Sequence, residues 1–331
     1  MRLLAVAIVL AALAAPVEAD APYGLALPIG CEPGKSCWIL RYVDHEPGDG
    51  ARDYACGRLT GDGHKGTDFA IPDLAAMIEG VEVRAAAPGI VDALRDGVAD
   101  VSVETIGRDA VAGMECGNGI RLDHGDGWKT WYCHLRRGSL RVKEGDRVEA
   151  GQPLALVGMS GEASFPHLHF DLRHDEAPID PFVGLERFED CGPGERPFWR
   201  EDVLAKLDYQ PLVVTDAGFA TAPPKSEDIQ AGYHDAAELP TSSPALVMWV
   251  QAYWVEAGDR LRFEVEGPGG DKVIDHAMTI DQDRARWFGF AGGRRPDNVW
   301  PAGTYRGEVT LERPGSEAPV RTILSRKLAI R

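Results

Sequence analysis

The sequence has no run of about 20 apolar residues, the length a helix needs to cross a bilayer. It also lacks a surplus of cations: 35 Lys and Arg stand against 52 Asp and Glu, a formal net charge of −17. Phosphate binding needs a basic surface, so this balance argues against a nucleic-acid partner. It equally disfavours docking on an anionic membrane face. No C-x₂-C pair is present, which counts against a zinc site built from thiolates. Helical periodicity is scarce, and there is no internal repeat or low-complexity tract. With 44% hydrophobic and 26% charged residues, the composition is that of globular protein, not of a disordered chain.

What is present begins with length. A chain of 331 residues suggests two domains. Met1-Arg2 precedes an apolar stretch from Leu3 to Ala15, then Pro16 and Val17-Glu18-Ala19. A basic start, a short apolar core and small residues before a cut describe a secretory signal peptide. Cleavage is expected after Ala19, giving a periplasmic or secreted protein that starts at Asp20. No cysteine follows the cut, so a lipid or membrane anchor is not expected.

Six cysteines lie beyond that point: Cys31, Cys37, Cys56, Cys116, Cys133 and Cys191. An even count in an oxidising compartment suggests up to three disulfides, with about fifteen connectivities open. Gly119–Asp123 and Trp128–His134 read as hairpin strands around Gly125-Asp126-Gly127, which would bring Cys116 near Cys133. Cys31 and Cys37 could close a small loop over Pro33-Gly34, leaving Cys56 with Cys191.

From Val81 onward the first part of the chain consists of short β runs broken by Gly, Pro and Asp. Val81–Ala85, Gly119–Asp123, Thr130–His134, Pro153–Val157 and His167–Leu172 are examples. A helical turn or two fits around Asp73–Glu79, and a short helix fits Glu201–Leu207. This is the pattern of an antiparallel β domain. After a polar stretch around Cys191 and Pro197, six further strand candidates follow at sandwich-like spacing. They are Ala245–Val255, Arg260–Val265, Val273–Thr279, Arg286–Phe290, Gly303–Leu311 and Arg321–Ile330. The expected organisation is a leader over 1–19, a β domain over 20–200, and a linker with an immunoglobulin-like β-sandwich over 201–331. Charge separates the halves: 31 acids and 18 bases in residues 20–199 give −13, and 20 acids and 16 bases in 200–331 give −4.

The chemistry lies in histidines of the first domain. His167 and His169 alternate along a strand and so share a face. His64 and Asp68 are four apart, which also permits one face of an extended segment. Two imidazoles and a carboxylate make three protein ligands, the usual complement of a catalytic zinc that keeps an open position. Mixed nitrogen and oxygen donors suit Zn²⁺ better than Mg²⁺ or Ca²⁺. Further histidines beside such a centre could serve as bases or donors.

The context is more specific than any one pair. Gly-His64-Lys-Gly66-Thr-Asp68-Phe-Ala70, Tyr132-Cys-His134-Leu, Gly145-Asp-Arg-Val148 with Gly151-Gln152, Gly158-Met-Ser-Gly161 and His167-Leu-His169-Phe occur in that order. The set, spanning His64 to Phe182, resembles the LytM/lysostaphin-type zinc endopeptidases of peptidase family M23, which cut peptide cross-links of bacterial cell walls. The resemblance implies a LytM-like, barrel-like sheet and one Zn²⁺ per chain on His64, Asp68 and His169. It also implies that His134 and His167 act beside the metal on a peptidoglycan peptide. Zinc makes water a nucleophile near neutral pH, with its pKa lowered to about 7.

Some relatives have lost ligands and only activate other hydrolases; here every matching position is filled. Three departures stand out, the first being Cys133 inside the Tyr132-Cys-His134 motif, where small residues are common. The stretch between Ala70 and Val83 is long for the family, and Asp92–Gly117 reads as an inserted loop. His45, His124, His174, His234 and His276 are expected to be solvated or packed, and Asp171 shares a face with His167 and His169. Gly145–Gln152 also resembles the hairpin of biotinyl and lipoyl carriers, but Leu156–Gly161 holds no lysine to carry a cofactor. Trp249, Trp254, Trp287 and Trp300 are expected to pack rather than form a sugar platform. The sandwich is expected to position the enzyme on the wall or against a protein partner. The competing readings are a non-catalytic activator of another hydrolase and a structural or adhesive exported protein.

Overall fold

The computed structural model describes residues 21–185, 190–232, 236–295, 299–315 and 320–331. The leader expected over 1–19 and His234 lie outside the described residues. In chain order the first strands are β1 (Trp38–Arg41), β2 (Thr67–Ala70), β3 (Glu82–Arg84), β4 (Gly89–Arg95) and β5 (Asn118–Gly125). They are followed by β6 (Trp128–Leu135), β7 (Arg147–Val148), β8 (Pro153–Leu156), β9 (His167–His174) and β10 (Ala177–Ile179). Eight of these form one antiparallel sheet in the order β1-β2-β9-β6-β5-β4-β7, with β10 on β9; β3 and β8 pair as a separate ribbon.

Alternation along β9 explains the placing of the site. Leu168, Phe170 and Leu172 enter the core with Tyr132, Leu122 and Val83, so His167, His169 and Asp171 turn to the opposite face. The β5–β6 hairpin closes on Asp126 (φ 45°) and Gly127 (φ 81°), the paired positive φ values that a two-residue turn requires. The extra length after Ala70 is a helix, α1 (Leu74–Glu79), whose first turn is capped by Asp73 accepting from Ala76 N at 2.8 Å.

The expected insertion at Asp92–Gly117 needs a correction. Residues to Arg95 continue β4, paired with β5, and the insertion proper follows with α2 (Val103–Ile106) and a 3₁₀ turn at Arg108–Val111. Asp92 and Asp96 punctuate a run that otherwise reads as strand, which is why the β segment was not legible. The helix expected over Glu201–Leu207 is also shorter, at Glu201–Leu204 (α3). The three disulfides are Cys31–Cys37, Cys56–Cys191 and Cys116–Cys133, and no cysteine is free.

The C-terminal part comprises β11 (Val213–Ala220), β12 (Glu238–Leu239), β13 (Ala245–Val255), β14 (Arg260–Glu266) and β15 (Lys272–Thr279). Strands β16 (Arg284–Arg294), β17 (Gly303–Arg313) and β18 (Val320–Ile330) complete it. They make two sheets, β11-β13-β16 and β12-β18-β17-β14-β15. Phe219, Met248 and Val250 of one sheet share a buried core with Phe263, Val309 and Leu328 of the other. All six expected strands are present. Strand β11 was not expected, because Thr-Asp-Ala-Gly interrupts its apolar alternation; it pairs with β13 along its length. Trp249 and Trp300 are buried, as their packing role requires.

The two parts share a core. Trp38 and Leu40 of β1, Ala70 of β2, Val213 of β11 and Tyr253 of β13 form one buried cluster. The Trp254 indole donates to Leu40 O at 2.7 Å. Arg58–Asp283 (2.6 Å) and Arg286–Glu104 (3.2 Å) bridge the rim. The sandwich is therefore built onto the first domain and is not a freely tethered module.

Candidate metal centre

Asp68 and His169 are direct cross-strand partners in the β2–β9 pairing, so their side chains lie together on one face. His167, two residues before His169, shares that face. His64 reaches the same point differently. It sits in the loop before β2 and not on the strand, so the extended one-face arrangement is replaced by a loop anchor. Its Nδ1–H donates to Tyr42 O at 2.7 Å, and its own carbonyl accepts from Asp44 N at 2.8 Å. A carbonyl only accepts, so Nδ1 carries a proton and Nε2 is the atom turned toward Asp68.

Asp44 holds that loop. Its Oδ1 accepts from Glu46 N and Arg52 N at 3.0 and 2.9 Å, and Oδ2 accepts from Gly63 N at 2.9 Å. These bonds hold its carboxyl below the usual range, against the opposing effect of burial. Gly66 supplies the close approach: a Cβ there would lie 2.5 Å from Phe170 O and 2.8 Å from the His169 ring.

His64 Nε2 and His169 Nδ1 lie 3.2 and 2.9 Å from Asp68 Oδ1. All three ligand atoms fall within 4.8 Å of one another, and this is the one such His/Cys/Asp/Glu cluster among the described residues. Two imidazole nitrogens and a carboxylate converging on a point fit zinc by donor type and number. Burial alone would raise the Asp68 pKa, but the neighbouring histidines overcome it and hold the carboxyl well below its ordinary value. Burial lowers the His64 pKa, and the Asp68 charge more than restores it, so the net shift is upward.

His134 and His167 stand beside this cluster, with ring centroids 4.6 Å apart. His134 Nδ1–H donates to Ser160 O at 2.8 Å and His167 Nδ1–H to Phe165 O at 2.9 Å. Both Nε2 atoms are thereby left as acceptors. Burial pushes His134 well below the ordinary imidazole value, helped by His167 and His169. Burial also lowers His167, although Asp68 opposes it. Both rings are neutral near pH 7.

Alternation from Cys133, the cross-strand partner of His169, would send His134 to the far face. A φ of 60° at His134 breaks the alternation and turns the ring to the cluster. The five predicted residues are thus brought together. Asp171 is not part of the group: its Oδ2 accepts from Arg173 Nε and Nη2 at 2.9 and 2.6 Å. His124 bonds Pro88 O and Thr130, His174 stacks on Trp128, and His45 pairs with Asp180. His276 is exposed. Tyr42, Asp44 and Phe165 escaped the sequence reading because they act mainly through backbone atoms or a loop turn. Ser160 belonged to a quoted motif, although its acceptor role was not legible.

One β face thus carries three groups that could hold a metal ion, with two imidazoles beside them. Residues 62–181 match the family described as Peptidase family M23. The cell division protein DipM of Caulobacter vibrioides is 40% identical over 77 residues, 22% of this chain and 12% of that protein. Peptidoglycan DD-endopeptidase ShyA of Vibrio cholerae is 31% identical over 117 residues, 35% of this chain and 22% of that protein. The chain thus covers under a quarter of the length of either curated relative. Among solved structures, the catalytic domain of the prophage-encoded M23 protein EnpA from Enterococcus faecalis is similar at 23% identity. That match covers 49% of this chain and 96% of EnpA's, with a TM-score of 0.33.

Proposed function

We propose that the chain is an exported zinc endopeptidase that hydrolyses peptide cross-links of peptidoglycan. The observation that carries this is the convergence of His64, Asp68 and His169 within a domain matching peptidase family M23. Names of relatives such as ShyA supply the substrate class. When bound, zinc would polarise the scissile carbonyl and favour ionisation of water. His64 Nε2, Asp68 Oδ1 and His169 Nδ1 would hold it.

The remaining steps belong to the chain's own residues. His134 and His167, neutral and with free Nε2 atoms, are placed to take a proton from the attacking water. The resulting imidazolium can donate to the oxyanion or return the proton to the leaving amine. Their Nδ1–H bonds to Ser160 O and Phe165 O fix the tautomer throughout. The leader over residues 1–19 and three disulfides support a periplasmic or secreted location. No helix among the described residues is long and apolar enough to cross a membrane. The filled ligand set favours catalysis over a role as a non-catalytic activator.

The test is digestion of purified sacculi with the zinc-loaded protein, followed by mass spectrometry of the released fragments. New peptide amino termini with intact glycan are expected. Cut glycan, or no release, would overturn the reading.

A further inference from the structure

Beside the metal centre, between the two parts of the chain, lies a cavity of about 280 Å³. Its walls include Arg41, Glu104, Phe165, Tyr253, Trp254 and Arg286. Most of these residues come from outside the family match at 62–181: Arg41 precedes it, and Tyr253, Trp254 and Arg286 belong to the sandwich. Glu104 comes from α2 in the insertion. Phe165 links the cavity wall to the metal-site face: its ring centroid lies 4.7 Å from that of His167 and 5.8 Å from that of Tyr253.

Arg41 is the unusual member. It is the direct cross-strand partner of Asp68, so its side chain shares the face that carries the metal ligands. Arg286 pairs with Glu104 at 3.2 Å, whereas the Arg41 guanidinium makes no ion pair among the described residues. A half-buried guanidinium between aromatic walls, with five donors and no acceptor, is suited to a carboxylate. The local cation also stands out on a domain of net −13, which otherwise repels anionic ligands.

We propose that this junction cavity is a substrate subsite for a free carboxylate of the wall peptide, with Arg41 as the residue that binds and positions it. The sandwich then completes the substrate groove. This rests on the reading of the chain as a wall-peptide hydrolase. It assigns the task of selecting substrate to residues on both sides of the catalytic domain.

The test compares a cross-linked stem-peptide dimer carrying free carboxylates with its carboxamide counterpart. Binding is measured by calorimetry on chelator-treated full-length protein, so that no turnover is needed. Wild type is expected to bind the acid form at least about tenfold more tightly, as a charge-assisted hydrogen bond would give. Arg41→Gln should abolish the preference while zinc content stays at the wild-type level, and Arg41→Lys should restore part of it. Equal binding of acid and amide by wild type, or full preference in Arg41→Gln, would overturn the subsite. Failure to bind zinc or cut either dimer would instead overturn the peptidase reading, with the binding comparison still deciding the subsite.

Discussion

The backbone amide of His134 donates to the carbonyl of Cys116 at 2.8 Å, one residue from the disulfide that joins Cys116 to Cys133. The disulfide and this bond together hold His134 in its left-handed conformation, which costs on the order of 1–3 kcal/mol for a non-glycine residue. Relieving the restraint should let the strand regularise and carry the ring off the catalytic face. The Cys116→Ser/Cys133→Ser double variant should lose about 3 kcal/mol of stability. Its hydrolysis should fall further than zinc content does. Denaturant unfolding and metal analysis of the purified variant check both parts.

Gly66 is expected to be intolerant. With Phe170 O at 2.5 Å and the His169 ring at 2.8 Å from an added Cβ, Gly66→Ala must displace a metal ligand or the β9 backbone. Zinc affinity should drop at least about tenfold, a loss of 1.4 kcal/mol or more. Gly61→Ala is the control: no atom lies within 4 Å of its Cβ position, so stability should stay within about 0.5 kcal/mol.

Asp44→Asn should loosen the loop that carries His64, costing about 1–2 kcal/mol as charge-assisted bonds to backbone amides are weakened. The pH dependence has a definite sign. The Asp44 carboxyl titrates lower in the folded chain than in the unfolded one. Its stabilising effect is therefore present above the unfolded value, about 3.9, and is lost as pH falls through the lower folded value. Thermal unfolding of wild type and variant should differ at pH 7, and the difference should shrink as pH falls below the unfolded carboxylate value.

The shared core at the junction changes what removing the sandwich should do. From sequence the sandwich reads as a part that positions the enzyme on the wall or against a protein partner. Trp38, Leu40 and Ala70 are instead buried against Val213 and Tyr253. A chain ending at Leu207 should expose that patch and either aggregate or lose activity on small peptides as well. Solubility and turnover of the truncated protein measure this.

Legibility followed the kind of signal each residue carries. Strand alternation placed His167 and His169 on one face, and glycine-bounded β runs located most strands, because both depend on local side-chain pattern. The Cys116–Cys133 contact followed from hairpin geometry. Strands β4 and β11 were hidden by aspartates inside their runs. The anchoring of His64 by Tyr42 O and of His134 by Ser160 O uses backbone carbonyls, which every residue has and no sequence distinguishes. Arg41 could not be singled out, since its pairing with Asp68 and its cavity exist only once β1 and the sandwich meet.

The central claim is most directly tested by one metal titration. The purified protein is stripped with chelator and reconstituted stepwise with zinc, while bound metal and cleavage of a cross-linked wall peptide are followed together. Activity should be absent in the stripped protein and rise to a plateau at one zinc per chain, and His169→Ala should bind no zinc and show no cleavage. Full hydrolysis in chelator, or by His169→Ala, would contradict the account.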